Sequence, residues 1–537
     1  MKYSAHMDAF ASEALPPKEL WPHLIHIDGV YPDRLNCATE LLDRMVSSGY
    51  AKRPLLHTPS GIWSYEDLLV KANRIAHVLV KDCALLPGQR VLLRGANSAW
   101  LAACWFGVLK AGGVCVTTMP MLRSRELEYI IAKAKVNLAL CAYSCVDELI
   151  HAQAASPDLK RTLVYGRPAP EAGDLDALIN KHSDAFDNVE TASDDVAIIG
   201  FTSGTTGKAK ATMHFHRDIL AICDAFPKHV LKPNKDDVFC GTPPLGFTFG
   251  LGGLLLFPMR IGASTLLLEK ASPEELLSAM QQYKATICFT SPTFYRAMLG
   301  AVGKYNIRSL KKCVSAGETL PLPTYEAWLK ATGIKLIDGI GATEMLHIFI
   351  SSSEDEIRPG ATGKVVPGYE AKVVDEHQNE LPRGSVGLLA VRGPTGCRYL
   401  DDIERQKEYV RGGWNYTGDA YLQDQDGYFW FQARADDMII SSGYNIAGPE
   451  VENVLLSHSA VKECGVVASP DPERGHIVKA FIVLHNPTAA GPALVKELQD
   501  FVKSEIAPYK YPRAIEFVTS LPRTDTGKLQ RFRLRNG

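Results

Sequence analysis

Along the first two thirds of the chain, short apolar runs alternate with stretches whose hydrophobic residues recur every three or four positions. The runs at 196–201, 264–268, 286–290 and 313–315 are the length of strands and are bounded by turn residues. From Tyr65 to Val80, residues Leu68, Leu69, Ala72, Ile75 and Val78 fall on one helical face, and a second helix is expected over 273–283 with Ser272 as its N-cap. This alternation from residue 60 to 340 predicts an α/β fold, a large layered N-terminal domain with mostly parallel sheets. Runs at 371–374 and 387–393, joined by glycine-rich turns, add a β-rich subdomain. After Arg434 the pattern changes again. A helix over 448–457 with Pro449 in its first turn, strands at 464–468 and 479–484, a helix over 493–506 and a strand at 515–519 form a small α+β unit of about 100 residues, an ordinary domain size. The chain is therefore expected to divide into 1–434 and 435–537. Its most apolar stretch, 246–268, is interrupted by Pro258 and Arg260 and reads as a buried strand–turn–strand rather than a membrane span.

The run 196–201 empties into Phe201-Thr-Ser-Gly-Thr-Thr-Gly-Lys-Ala-Lys210. Glycines let backbone N–H groups close on an anion, hydroxyls donate hydrogen bonds and lysine supplies charge, so Thr202, Ser203, Gly204, Thr205, Thr206, Gly207 and Lys208 suit phosphate oxygens. The spacing is not that of a Walker loop. That motif needs GxxxxGK followed by Ser or Thr, whereas Gly204 lies three residues before Gly207 and Ala209 follows Lys208. Residues 209–215 alternate like a second strand, which makes the loop the tip of a hairpin laid over phosphates.

Composition narrows the partners. Lys and Arg (58) nearly balance Asp and Glu (60), so the charge gives no case for nucleic acid or an anionic membrane. No long apolar segment follows a basic start at the N-terminus, and a cytoplasmic protein with reduced thiols is the expectation. The twelve cysteines form no CxxC pair and no zinc-like set.

Four motifs follow the loop in order: Asp338-Gly-Ile-Gly-Ala-Thr-Glu344, Tyr416-Thr-Gly-Asp419, Arg434-Ala-Asp-Asp-Met-Ile-Ile-Ser-Ser-Gly443 and Pro522-Arg-Thr-Asp-Thr-Gly-Lys528. Together with the loop they resemble the adenylate-forming superfamily of acyl-CoA synthetases, peptide-synthetase adenylation domains and luciferases. Pro243–Gly253, Gly341–Phe349, Leu35–Asp43 and Val91–Asn97 resemble, within it, bacterial benzoate-CoA and 2-aminobenzoate-CoA ligases, so the likeness spans nearly the whole chain. The resemblance implies ATP, Mg2+ and coenzyme A as cofactor and cosubstrates, a small aromatic carboxylic acid as substrate, and a monomer or homodimer. It implies that Glu344 holds magnesium and Thr343 touches the α-phosphate. Magnesium commonly takes one or two carboxylates plus substrate phosphates. Asp419 and Arg434 are implied at the ribose, and Asp338, Gly339 and the Ala316-Gly317-Glu318 turn at the adenine. Ala433 stands where the family usually has glycine, which matters only if that position needs positive φ. Lys528 is implied as the catalytic cation at the reacting oxygens. Asp436 is implied as the hinge of a mobile C-terminal domain, whose second pose brings Ser442, Gly443 and Tyr444 to the pantetheine. The benzoate-type pocket maps onto Phe247, Thr248, Phe249, Gly250, Gly341, His347 and Ile348, with Thr248 where benzoate ligases carry alanine.

The expected reaction is therefore formation of an aryl-adenylate and then an aryl-CoA thioester, with 2-aminobenzoate first and benzoate second. Another acyl- or aryl-CoA synthetase, a stand-alone adenylation enzyme loading a carrier protein and, more remotely, a nucleotide-switch NTPase are the alternatives.

Overall fold

Apolar runs become strands buried on both faces, and in Arg90–Arg94 burial extends to all five residues, the arginine at each end donating to backbone carbonyls. In the computed structural model, which describes residues 3–25, 31–202, 209–434, 437–441, 444–471, 475–506, 508–523 and 528–535, this strand lies inside a six-stranded sheet. The order is Arg161–Tyr165, Val136–Ala142, Arg90–Arg94, Val114–Thr118, Val196–Thr202 and Lys210–Phe215. All pairs are parallel except the last, an antiparallel hairpin in which Thr202 faces Lys210. The strand expected after the glycine-rich loop is thus present, while Ser203, Gly204, Thr205, Thr206, Gly207 and Lys208 lie outside the described residues.

A nine-stranded sheet forms the second layer. Its centre, Leu336–Gly341, Lys312–Ser315, Ile287–Thr290, Val238–Gly241, Ser264–Leu266 and Pro54–Thr58, is parallel throughout. Antiparallel strands Ile348–Ser351 and Gly61–Ser64 flank it. The helices begin where side chains can satisfy their first N–H groups. Ser272 and Glu275 form a reciprocal capping box at Pro273–Tyr283, and Ser64 and Asp67 do the same at Tyr65–His77, beyond which Val78–Asp82 continues as a wider helical turn.

The segment 246–268 departs from the expectation. It is helical over 248–261 and only then enters the strand Ser264–Leu266. Leu254, Leu255, Leu256, Phe257 and Met259 are fully buried, so the helix is apolar all round because it is enclosed, and no amphipathic period marks it. Its glycines, which argued for turns, serve close packing. A Cβ on Gly253 would lie 2.5 Å from the Phe289 ring, and one on Gly252 would strike the His347 ring. Pro258, which lacks an N–H, is accommodated just after the wide turn Gly252–Leu256.

Glu370–Val374, Val386–Arg392, Trp414–Gln423, Val410–Arg411 and Phe429–Arg434 make the antiparallel β-rich subdomain. A separate α+β C-terminal domain follows. Helix Gly448–Ser457 and helix Pro492–Glu505 pack beside the strands Val461–Asp471, Gly475–Leu484 and Ala514–Phe517 around Ile446, Val451, Leu455, Val466, Ile482 and Leu498. No helix among the described residues is long and apolar enough to cross a membrane. All twelve cysteines are unbridged and ten are buried, with Cys240, Cys288 and Cys313 side by side on adjacent strands.

Gly253→Ala should destabilise the protein by about 1–3 kcal/mol, because the added methyl overpacks a ring that has no room to withdraw. Denaturant unfolding measures it, and a neutral effect would show that the helix backbone does not rest on Phe289.

Candidate active site

The site is built on the turn that joins the parallel centre of the large sheet to its antiparallel edge. Strand Leu336–Gly341 ends at the turn Thr343–Met345, Leu346 takes φ +69°, and the chain returns as Ile348–Ser351 with Gly341 opposite Ile348. The turn buries Glu344, whose Oε1 accepts a 2.8 Å hydrogen bond from the Tyr399 hydroxyl. His214 Nε2 donates to the Thr343 carbonyl at 2.8 Å. That acceptor assigns the proton to Nε2, and burial lowers the His214 pKa to about 4, so the imidazole is neutral. Lys210, on the same strand as His214, lies in the field of Glu344; lost solvation lowers its pKa and the carboxylate opposes the shift.

Asp419 and Arg434 meet for a reason of register. They are cross-strand partners of Trp414–Gln423 and Phe429–Arg434, and Arg434 Nη1 donates to Asp419 Oδ1 at 3.1 Å and to the Thr417 carbonyl at 3.1 Å. Gly418 takes φ +77° inside the strand, where the pairing register shifts, and a Cβ there would come within 3.0 Å of Arg434 Nη2, so glycine both permits the irregularity and admits the guanidinium. Ala433 sits in the regular strand, paired with Ala420 and without positive φ, so the methyl imposes no strain. Asp419 is buried, and desolvation raises its pKa against the pull of Arg434, Thr417 and Lys528.

Lys528 reaches this place from the C-terminal domain. Arg523 and Leu529 pair in an antiparallel bridge next to it, and Arg523 is held by Glu463 of its own domain at 2.7 Å and faces Glu318 at 3.9 Å. Lys528 keeps solvent access yet is ringed by protein. Its pKa is lowered chiefly by lost solvation, opposed by Glu318, Asp419 and Glu344 and reinforced by Arg434. A lysine near the end of the chain is thus brought to three carboxylates that precede it by 109 to 210 positions.

Glu318 follows Ala316 and Gly317 in the turn after Lys312–Ser315 and accepts from the Thr293 hydroxyl at 2.6 Å; burial raises its pKa. Asp338, with Gly339 next to it on the neighbouring strand, has a buried Oδ1 without a partner, and desolvation pushes its pKa up to about 8. It lines a small cavity with Leu320, Tyr325 and Ser352.

The residues expected around the acid gather at the start of the enclosed helix. Phe247 precedes its first turn, and Thr248, Phe249 and Gly250 form that turn. His347 is buried in a ring of aromatic groups, 4.5 Å from Phe257 and 5.9 Å from both Phe226 and Phe249 between ring centres. Neither imidazole nitrogen has a hydrogen-bond partner. Burial lowers the His347 pKa to about 3, opposed by the nearby Phe249 backbone. Ile348 is buried beside it and Gly341 is exposed.

Asp436, Ser442 and Gly443 lie outside the described residues; Tyr444 opens the short strand Tyr444–Ile446, paired with Ile439–Ser441. Among the described residues no cluster of three or more His, Cys, Asp or Glu could hold a metal ion. Glu344 fits a different kind of site, a single hard carboxylate that shares magnesium with substrate phosphates. The sequence reading passed over Lys210, His214, Tyr399 and Arg523. Lys210 and Arg523 stood inside quoted motifs, whereas His214 and Tyr399 carry no local signal.

The AMP-binding enzyme family matches residues 44–398, and the C-terminal domain of AMP-binding enzymes matches residues 450–528. Benzoate–CoA ligase of Thauera aromatica is 33% identical over 510 residues, covering 94% of this chain and 96% of that protein. The human mitochondrial acyl-coenzyme A synthetase ACSM3 is 34% identical, covering 88% and 83%. Among solved structures, the anthranilate CoA ligase AuaEII in complex with anthranoyl-AMP superposes with a TM-score of 0.90 at 34% identity, covering 94% of this chain and 98% of that one. The two-domain fold, the ordered motifs and these matches together place the chain in the AMP-binding enzyme family of adenylate-forming enzymes.

Proposed function

We propose that the chain is an ATP-dependent aryl-CoA ligase with 2-aminobenzoate as its preferred acid and benzoate as the next. The observation that carries the ligase reading is the convergence of Lys528 with Glu318, Asp419, Arg434 and Glu344 from separate elements. In the first half-reaction the acid's carboxylate oxygen attacks the α-phosphorus of ATP in line. The new O–P bond forms as the bond to pyrophosphate breaks, and Lys528 offsets charge on the reacting oxygens. In the second, the sulfur of CoA attacks the acyl carbon and AMP departs with the bonding electrons. Asp419, oriented by Arg434, accepts from the ribose hydroxyls, and Asp338 and the Ala316–Glu318 turn border the adenine. Thr202 opens the loop that restrains the β- and γ-phosphates. Glu344 would hold magnesium, which when bound neutralises phosphate charge, and Thr343 would touch the α-phosphate. Positioning and fixed charge supply most of the acceleration.

The aromatic acid rests on the pocket's chemistry. Phe247, Phe249 and Ile348 offer apolar walls, and Gly250 and Gly341 let the backbone pack closely behind them, since a Cβ at either would meet main-chain atoms. His347 holds two unpaired nitrogens in a buried site, a cost a substrate can relieve with a polar ring substituent. Thr248 adds a hydroxyl beside it.

ATP–pyrophosphate exchange over benzoate, 2-aminobenzoate, hydroxybenzoates and medium-chain fatty acids should be strongest with 2-aminobenzoate; preference for a fatty acid would overturn the aryl reading, and phosphate release without any acid would overturn the ligase. Lys528→Ala should lower adenylation by about 10²- to 10³-fold while sparing CoA attack on supplied aryl-AMP, and equal loss of both steps would remove its assignment to the first. Because His347 titrates at about 3, below its ordinary range, it stays neutral at working pH. The ratio of 2-aminobenzoate to benzoate kcat/KM should therefore stay flat from about pH 6 to 8 and fall in Thr248→Ala; a titration in that window would mean a charged imidazole.

A further inference from the structure

Glu344 does not set its own direction. Its turn carries the unusual backbone of Leu346, and a glutamate side chain has three rotatable bonds, so the carboxylate needs an outside contact to stay aimed. Tyr399 supplies it, donating to Oε1 at 2.8 Å from a fully enclosed position. The phenol is itself held on several sides. Its backbone N–H donates to Gln406 Oε1 at 2.9 Å, and Gln406 Nε2 in turn donates to the Cys397 and Leu20 carbonyls. Its backbone bridges Thr212 of the hairpin, and its ring meets the Tyr409 edge at 5.8 Å. The next residue back, Arg398, is locked to Asp218. Tyr409 makes an instructive contrast, since its hydroxyl, also buried near Glu344, has no partner.

We propose that Tyr399 is a positioning residue that presents the Glu344 carboxylate to the divalent cation of a metal–nucleoside triphosphate. The inference rests on the reading of Glu344 given above. By donating to one oxygen, the hydroxyl fixes the plane of the carboxylate and turns its remaining lone pairs toward the triphosphate. Groups behind a metal ligand commonly change metal affinity by about 10- to 100-fold when removed.

The test is calorimetric titration of the full-length protein with MgATP and, separately, with ATP in chelator, without acid or CoA. Tyr399→Phe should weaken MgATP binding by about 10- to 100-fold while leaving metal-free ATP binding and the melting temperature near wild type. Tyr409→Phe should change neither affinity. Equal losses with and without the metal, no loss at all, or a Tyr399→Phe chain that melts far below wild type would overturn the proposal by making the hydroxyl a packing element. Glu344→Gln separates the two layers. If it erases the metal-dependent part and Tyr399→Phe adds nothing to it, both stand; if it leaves MgATP binding intact, the reading of Glu344 itself falls.

Discussion

The candidate site hangs on one buried ion pair. Arg398 Nη1 lies 3.1 Å from Asp218 Oδ2, both side chains are wholly inaccessible, and the guanidinium is covered by Phe215 at 4.2 Å and Trp21 at 4.9 Å. Charges so placed lose most of their hydration, and removing one partner typically costs about 3–5 kcal/mol because the other is left uncompensated. Such a pair need not add net stability; its value is that the alternatives are worse. It fastens the segment carrying Tyr399 to the helix that follows the hairpin, and Asp218 Oδ2 also accepts from the Phe215 N–H, so hairpin, helix and segment share one register. Lys210 and His214 on the hairpin and Tyr399 on the segment then arrive together at Thr343 and Glu344.

Around that anchor, the polar groups divide by what water can reach. His214 and His347 are driven neutral by burial, Asp338 is pushed toward its protonated form, and Asp419 is kept company by a guanidinium. Lys528 is the member that comes from another domain, and it retains solvent access. Three carboxylates, Glu318, Asp419 and Glu344, thus stand against the cations Lys528, Arg434 and Lys210, so charges of both signs are held close together in ground that water reaches only in part.

Much of this was legible in the sequence where the physics is local. Ser272 before Pro273 announced a helix start, and Pro449 fell where a missing N–H does no harm. The hairpin after the glycine-rich loop followed from alternation alone. What failed was the segment from Gly246: an enclosed helix has no polar face, and its glycines mimic turns until their partners, Phe289 and His347, are known. The ordered motifs gave Asp419 and Arg434 as residues, but not that they are cross-strand partners. Tyr399 and His214 were beyond reach because they act across 55 and 129 positions, and nothing in a neighbouring residue encodes a contact of that span.

The row of thiols in the large sheet carries a consequence for durability. Cys240, Cys288 and Cys313 are wholly inaccessible; the contact with Cys288 together with burial raises the pKa of Cys240, and burial that of Cys313, far above the range in which a nucleophilic thiolate exists. Alkylating or oxidising reagents can find them only when adjacent parallel strands part, an opening that dismantles the centre of the sheet. Their modification rate is therefore a clock for global unfolding, and resistance to oxidants is set by the barrier to that opening, with the chemistry of sulfur entering only afterwards.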